Sequence, residues 1–199
     1  MAEITPVGTR SQVLATALEL FTTQGYEGTS LRQIAERLGM TKAAVYYHFP
    51  AKEHLVLELT RPFIDGVAEL LSRARDDRRQ KDPRQRRIQL LDGYLDLLLA
   101  QHHVVNLLAR DPGTQLHPDI GQRARVLISA LETELVGADG GDDDRVRVSC
   151  ALAALAAVAN MPVALAESSR QVVLDAATAA LDSGPAVRKV KKASQPRRK

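Results

Sequence analysis

Apolar residues in this chain recur three and four positions apart, and no long run alternates apolar with polar residues. Spacings of three and four put side chains on one stripe of a helix, whereas a half-buried strand needs a period of two. Glycine and proline fall between many of the periodic segments and punctuate them. The pattern predicts an all-α protein. The hydrophobic share of 45% and the charged share of 26% are those of a folded chain, and 199 residues suffice for a small domain joined to a larger one.

The first helix is predicted over residues 9–24, with Val13, Leu14, Ala17, Leu18 and Phe21 on its apolar face and Gly25 as its stop. Ser30 opens a second helix, with Gln33 three residues on as in a capping box, and Leu31, Ile34, Ala35 and Leu38 as its buried side. Gly39 ends that helix. Thr41 caps a third, which runs to Phe49 and is stopped by Pro50. A fourth starts near Lys52 and continues, bent at Pro62, toward Arg73. Later helices are expected over residues 84–101, 102–110, 118–136, 143–166 and 168–182. Their connections are Asp82-Pro83, Pro112-Gly113, residues 137–141 and residues 167–169. Residues 1–8 read as a flexible lead-in and residues 184–199 as a disordered tail almost without apolar side chains.

The net charge of +3 belongs to that tail. Residues 184–199 carry seven basic residues and no acid, which leaves 20 basic against 24 acidic residues elsewhere, a balance of −4. The remaining chain has no general attraction for nucleic acid, so DNA binding requires a motif. The single cysteine, Cys150, cannot form an internal disulfide or a thiolate zinc site, and in its apolar segment an inert thiol is expected. The longest apolar stretch, residues 150–166, is broken by Asn160 and Pro162 and makes a poor membrane span. Residues 1–10 are polar, and no signal peptide is expected. A cytoplasmic protein without membrane contact is the expectation. No GxSxG, phosphate loop or HExxH occurs, so no enzyme, catalytic residue or cofactor is expected. His102, His103, Asp111 and His117 form a loose group of potential metal ligands, but their spacing is not that of a dedicated site and no metal is assigned.

The chemistry lies between Ser30 and Phe49. The second and third helices are joined by Leu38-Gly39-Met40-Thr41, a short turn containing glycine that sets two helices at a steep angle. A helix-turn-helix of this kind lays its second helix in the major groove while the first crosses the backbone. The third helix begins with short side chains, so its backbone can approach base edges. Thr41 and the free amides at its start suit a phosphate. Val45 and Phe49, four apart, can pack inward, while Tyr46, Tyr47 and His48 carry polar tips on rings.

Residues 10–55 resemble the TetR family of transcriptional regulators. The resemblance is carried by Ala17, Leu20-Phe21, Gly25-Tyr26, Thr29-Ser30-Leu31, Ile34-Ala35, Leu38-Gly39, Val45-Tyr46-Tyr47-His48-Phe49-Pro50 and Lys52-Glu53-His54-Leu55. It implies a three-helix DNA-binding domain over residues 9–55 and a larger helical domain for ligand binding and dimerisation over residues 56–183. By the same resemblance Arg32, Thr41, Lys42 and Ala43 would face base edges. Tyr46, His48 and Lys52 would contact phosphates, Tyr47 would lie along the groove wall, and Thr29 or Ser30 would add a phosphate contact. The implied partners are double-stranded DNA, a second copy of the chain and an unidentified small-molecule inducer. The implied activity is repression of an inverted-repeat operator, relieved by that ligand; the alternative is an activator or a ligand-independent regulator. This sequence departs from a typical DNA binder in one respect. Up to Pro50 its four basic residues are balanced by four acids, so modest salt dependence is expected.

In the C-terminal part, the alanines at 151, 153, 154, 156, 157 and 159 allow close helix approach. Val172, Val173, Ala176, Ala177 and Ala180 give the last helix an apolar face. Tyr94 is the one aromatic residue after Phe63, so a ligand pocket there would be lined mainly by aliphatic side chains and would suit an aliphatic or small polar-headed ligand. The helix over 84–101 is apolar almost all round, and its strip of Gln89, Asp92, Gly93 and Asp96 faces either such a pocket or solvent.

Overall fold

The computed structural model describes residues 8–76, 82–116 and 118–183, and every regular element among them is helical. The expected lead-in, the basic tail and His117 lie outside the described residues, apart from Gly8. Helix α1 spans Thr9–Gln24 and buries Val13, Ala17, Leu20 and Phe21. It ends at Gly25, whose φ of 81° is one that a side chain resists. Helix α2, Leu31–Arg37, opens on a reciprocal cap: the Ser30 hydroxyl accepts from the Gln33 amide at 3.2 Å, and Gln33 Oε1 accepts from the Ser30 amide at 2.8 Å. Helix α3, Lys42–His48, is capped by Thr41, whose Oγ1 accepts from the Ala44 amide at 3.2 Å. Helix α4, Lys52–Asp76, passes through Pro62 without interruption.

The buried residues form two cores. One gathers Val13, Ala17, Phe21, Tyr26, Ile34, Val45, Phe49, Leu55 and Val56 from α1 to α4, and is completed by Leu107 of helix α6, His102–Arg110. The other is built on Phe63, Val67 and Leu71 of α4 and on Leu90, Leu91, Tyr94, Leu95 and Leu98 of helix α5, Pro83–Ala100. Helices α8, Pro118–Val136, α9, Asp142–Ala156, and α11, Arg170–Asp182, close it with Leu131, Leu135, Ala151, Leu155, Val173 and Ala177. Helix α4 contributes to both cores, Leu55 and Val56 to the first and Phe63, Val67 and Leu71 to the second, and so joins them.

The structure corrects four expectations. Residues 143–166 are not one helix: α9 ends at Ala156, a 3₁₀ turn covers Ala157–Asn160, and helix α10 spans Val163–Ser168. Pro162 lacks an amide and forces Met161 into extended backbone, with φ −91° and ψ 153°. The carbonyls released by the break are taken up by α6. His102 Nε2 lies 3.0 Å from both the Val158 and Met161 carbonyl oxygens, and Asn106 Nδ2 donates to the Ala159 carbonyl. Pro112-Gly113 is not a bare connection but the start of a short helix, α7, Pro112–Leu116. There Asp111 Oδ1 accepts from the Thr114 amide at 3.2 Å, and Pro112 occupies the first turn, where a missing amide does no harm. The break before α11 is shorter than expected, since α10 continues through Ser168. Finally, the strip on α5 is divided. Asp92 and Asp96 accept from Arg170 of α11 at 2.7 and 2.6 Å, while a side chain at Gly93 would meet Leu70 of α4 at 2.7 Å.

Candidate nucleic-acid interface

Gly39, at φ 64°, turns the chain between α2 and α3. This turn fixes which face of α3 is buried. Val45 and, just past the helix, Phe49 are sealed in the N-terminal core. The opposite face is left to solvent: Thr41, Lys42, Ala43, Tyr46 and Tyr47 are all exposed. Tyr47 is 85% exposed and Tyr46 40%. A folded protein gains nothing in stability from placing two tyrosines there, because aromatic rings are among its largest sources of burial energy. The ammonium of Lys42 stands 5.1 Å over the Tyr46 ring, and the Tyr47 and His48 rings meet edge to face at 5.3 Å. These contacts order an exposed row of hydroxyl and ammonium groups along one helix, with the half-buried His48 imidazole beside it.

Arg32 projects from α2 and is exposed. Its Nε donates to Glu36 Oε1 at 2.7 Å, and this hydrogen bond raises its already high pKa. The neighbouring cation, Arg37, is bound to Glu19 at 2.8 Å. Both arginines of α2 are therefore paired with acids, in keeping with the even charge balance of this region.

Two residues expected at phosphates are turned inward. Thr29 is 2% exposed, and its hydroxyl donates to the Gly25 carbonyl at 2.9 Å. Lys52 donates to the Tyr26 carbonyl at 2.7 Å and lies 4.0 Å over the Tyr26 ring, with Glu27 at 3.7 Å. Ser30 is exposed, but its oxygen serves the cap of α2. Tyr26 thus anchors the turn that enters α2. Its amide is held from the other side by Asp111 Oδ2 at 2.6 Å, a contact between residues 85 apart. Burial, and then the Glu53 carboxylate beside it, push the Tyr26 phenol well above its usual pKa. Sequence reading missed this clamp and placed Asp111 among potential metal ligands. Among the described residues there is no group of three metal-ligating side chains, and the Asp111 and His102 contacts above account for two of the four residues in that group.

A cavity of about 40 Å³ lies in the second core, between α4, α5, α6 and α8. Phe63, Ile64, Val67, Tyr94, Leu127 and Ile128 form most of its wall. Six of its ten lining residues are aliphatic, and both aromatic residues beyond residue 49, Phe63 and Tyr94, border the space.

Residues 13–59 match the model of the family described as bacterial regulatory proteins, tetR family. Over 67 residues the chain is 37% identical to the HTH-type transcriptional repressor AcnR of Corynebacterium efficiens, covering 34% of this chain and 36% of that protein. Over 64 residues it is 47% identical to the HTH-type transcriptional regulator LmrA of Bacillus subtilis, covering 32% of this chain and 34% of that one. The chain thus matches about a third of the length of these curated relatives. The fold extends further. SCO3833, a member of the TetR transcriptional regulator family from Streptomyces coelicolor A3, superposes with a TM-score of 0.67 at 21% identity, covering 92% of this chain and 93% of that one.

Proposed function

We propose that this chain, whose residues 13–59 match the model of the tetR family, is a sequence-specific, dimeric transcriptional repressor released from its operator by a small-molecule ligand. The observation that carries this reading is the exposed row on α3, with Tyr46 and Tyr47 in solvent and Val45 and Phe49 fixing the helix from behind. Lys42, Ala43 and Thr41 then meet base edges at the start of α3, while Tyr46 and His48 reach phosphates and Tyr47 lines the groove. Arg32 exchanges Glu36 for the two acceptors of a guanine, because its exposed ion pair is worth little in water. Ser30 adds a phosphate contact from the start of α2. Thr29 and Lys52 serve the same surface indirectly by fixing the turn at Tyr26.

Two-fold symmetry supplies the second half-site. Exposed residues on α9 and α11 support a dimer there. Val146, Cys150 and Ala153 line one outer stripe, and Val172, Ala176 and Ala179 the other, while their neighbours Val148, Val173 and Ala177 are buried. Ligand would act by favouring a conformation whose two α3 helices no longer match the half-site spacing. A cytoplasmic location fits this role, and no helix among the described residues is long and apolar enough to cross a membrane. The test is selection of duplexes from a random DNA library by the purified full-length chain, with sedimentation to establish its mass in solution. An inverted repeat bound by a dimer is expected. Recovery of unrelated sequences would overturn the reading.

A further inference from the structure

We propose that the ligand of this cavity is an apolar carboxylic acid, with its hydrocarbon end between α4 and α8 and its carboxylate on Arg123. This rests on the reading of the chain as a ligand-responsive regulator and gives that ligand a chemical class. Three observations converge. The wall of Phe63, Ile64, Val67, Ala124, Leu127 and Ile128 offers a hydrocarbon chain dispersion contacts and no competing charge. Its volume of about 40 Å³ corresponds to roughly three water-sized groups, enough for a narrow chain end.

The second observation is Arg123. It lines the cavity and also both open depressions that adjoin it, one floored by Ile64, Val126 and Leu127 and one by Phe49, Leu57 and Ile64. Arg123 therefore stands where the enclosed space meets solvent. The neighbouring arginines of the second depression, Arg10 and Arg61, are both bound to Glu58. Arg123 forms no ion pair among the described residues. Arg123 is exposed and shared between the apolar cavity and its open approaches, so its guanidinium fork can meet two carboxylate oxygens there, and an uncharged head gives it no charge partner. Third, Tyr94, buried at 4% exposure, borders the same cavity and brings no charge to it. Burial pushes its pKa up to about 12, so near neutrality it is a donor and never an opposing charge. A cation ligand finds no acid in the cavity wall.

Octanoate, octanamide and octylammonium share one chain and differ in the head group, and so isolate the contribution of Arg123. Calorimetric titration of the full-length protein is expected to show octanoate binding at least tenfold more tightly than either of the others. Arg123→Gln should abolish that preference while leaving the melting temperature of the free protein unchanged, since the side chain is exposed and forms no ion pair among the described residues. Leu127→Trp, which fills the cavity, should remove binding of all three. Equal binding of acid and amide, no binding of octanoate, or an acid preference that survives Arg123→Gln would each overturn the proposal. Operator binding in the absence of any acid is read separately by gel shift. If octanoate binds as stated and leaves DNA occupancy unchanged, the carboxylate site stands and release by ligand falls. If DNA is bound specifically but octanoate does not bind, the regulator stands and the carboxylate falls.

Discussion

Removing the carboxylate of Asp111 tests whether the junction of α6 and α7 holds the N-terminal domain through Tyr26. In Asp111→Ala the Tyr26 amide loses its acceptor at 2.6 Å and the Thr114 amide loses one at 3.2 Å. Both residues are buried, at 2% and 0% exposure, so water cannot readily replace the carboxylate. A buried donor left unpaired costs about 1–3 kcal/mol, and the bond to Tyr26 is short and made to a charged acceptor. We expect a loss of about 2–4 kcal/mol, which in a chain of this length lowers the melting temperature by roughly 5–15 °C. Thermal unfolding followed by far-ultraviolet circular dichroism measures it. Lys52→Met releases the carbonyl of the same residue, so the two substitutions should not add. A double-mutant cycle should give a coupling of about 0.5 kcal/mol or more. A melting temperature within about 2 °C of the unsubstituted chain for Asp111→Ala would refute the clamp, as would strict additivity with Lys52→Met.

The remaining expectations concern the exposed surface and the acid range. Tyr47→Ala removes a side chain that is 85% exposed, so stability should stay within about 0.5 kcal/mol while binding to every DNA sequence weakens; a gel shift unchanged by the substitution would remove Tyr47 from the interface. Arg32→Ala should relax preference at one base pair by roughly 5- to 150-fold and leave the others intact, and an unaltered selected sequence would refute base reading by Arg32. Hydrogen bonding from Arg10 holds Glu58 below the usual glutamate pKa, against a smaller opposing effect of burial. The folded state favours the ionised form, so this contribution is complete above the ordinary glutamate range and is lost as pH falls through the lowered native value. Glu58→Gln should flatten that part of the acid unfolding profile; an identical profile would show that the pair with Arg10 contributes nothing.

The helix-turn-helix was legible because its determinants are local. Ser30 and Gln33 are three apart, Thr41 and Ala44 likewise, and Gly39 sits where a positive φ is needed. Each device is satisfied within one turn of chain, so the sequence displays it directly. The Tyr26 clamp was not legible. Asp111 beside His102 and His103 suggested ligands for a metal, and no local pattern points it at an amide 85 residues away. Likewise Lys52 looked like a free cation at a helix start, whereas the fold brings the Tyr26 carbonyl and ring within its reach.

Helical period, caps and glycine stops determined by themselves the class of fold, the first four helices and the turn that aims α3, because they depend on backbone sterics and hydrogen bonds between near neighbours. Only the tertiary structure decided how the later part is cut and joined. Pro162 could be read as an interruption, but the break at Ala156 also needs His102 and Asn106 from α6 to satisfy the carbonyls it frees. The same holds for the faces of α5 and α11. Asp92 and Asp96 look toward Arg170 rather than a pocket, and Val172 is left outside while Val173 is buried, because the partners that choose between those faces are distant in the chain. Long-range choices of this kind depend on which surfaces pack together, and periodicity records only that a face is apolar.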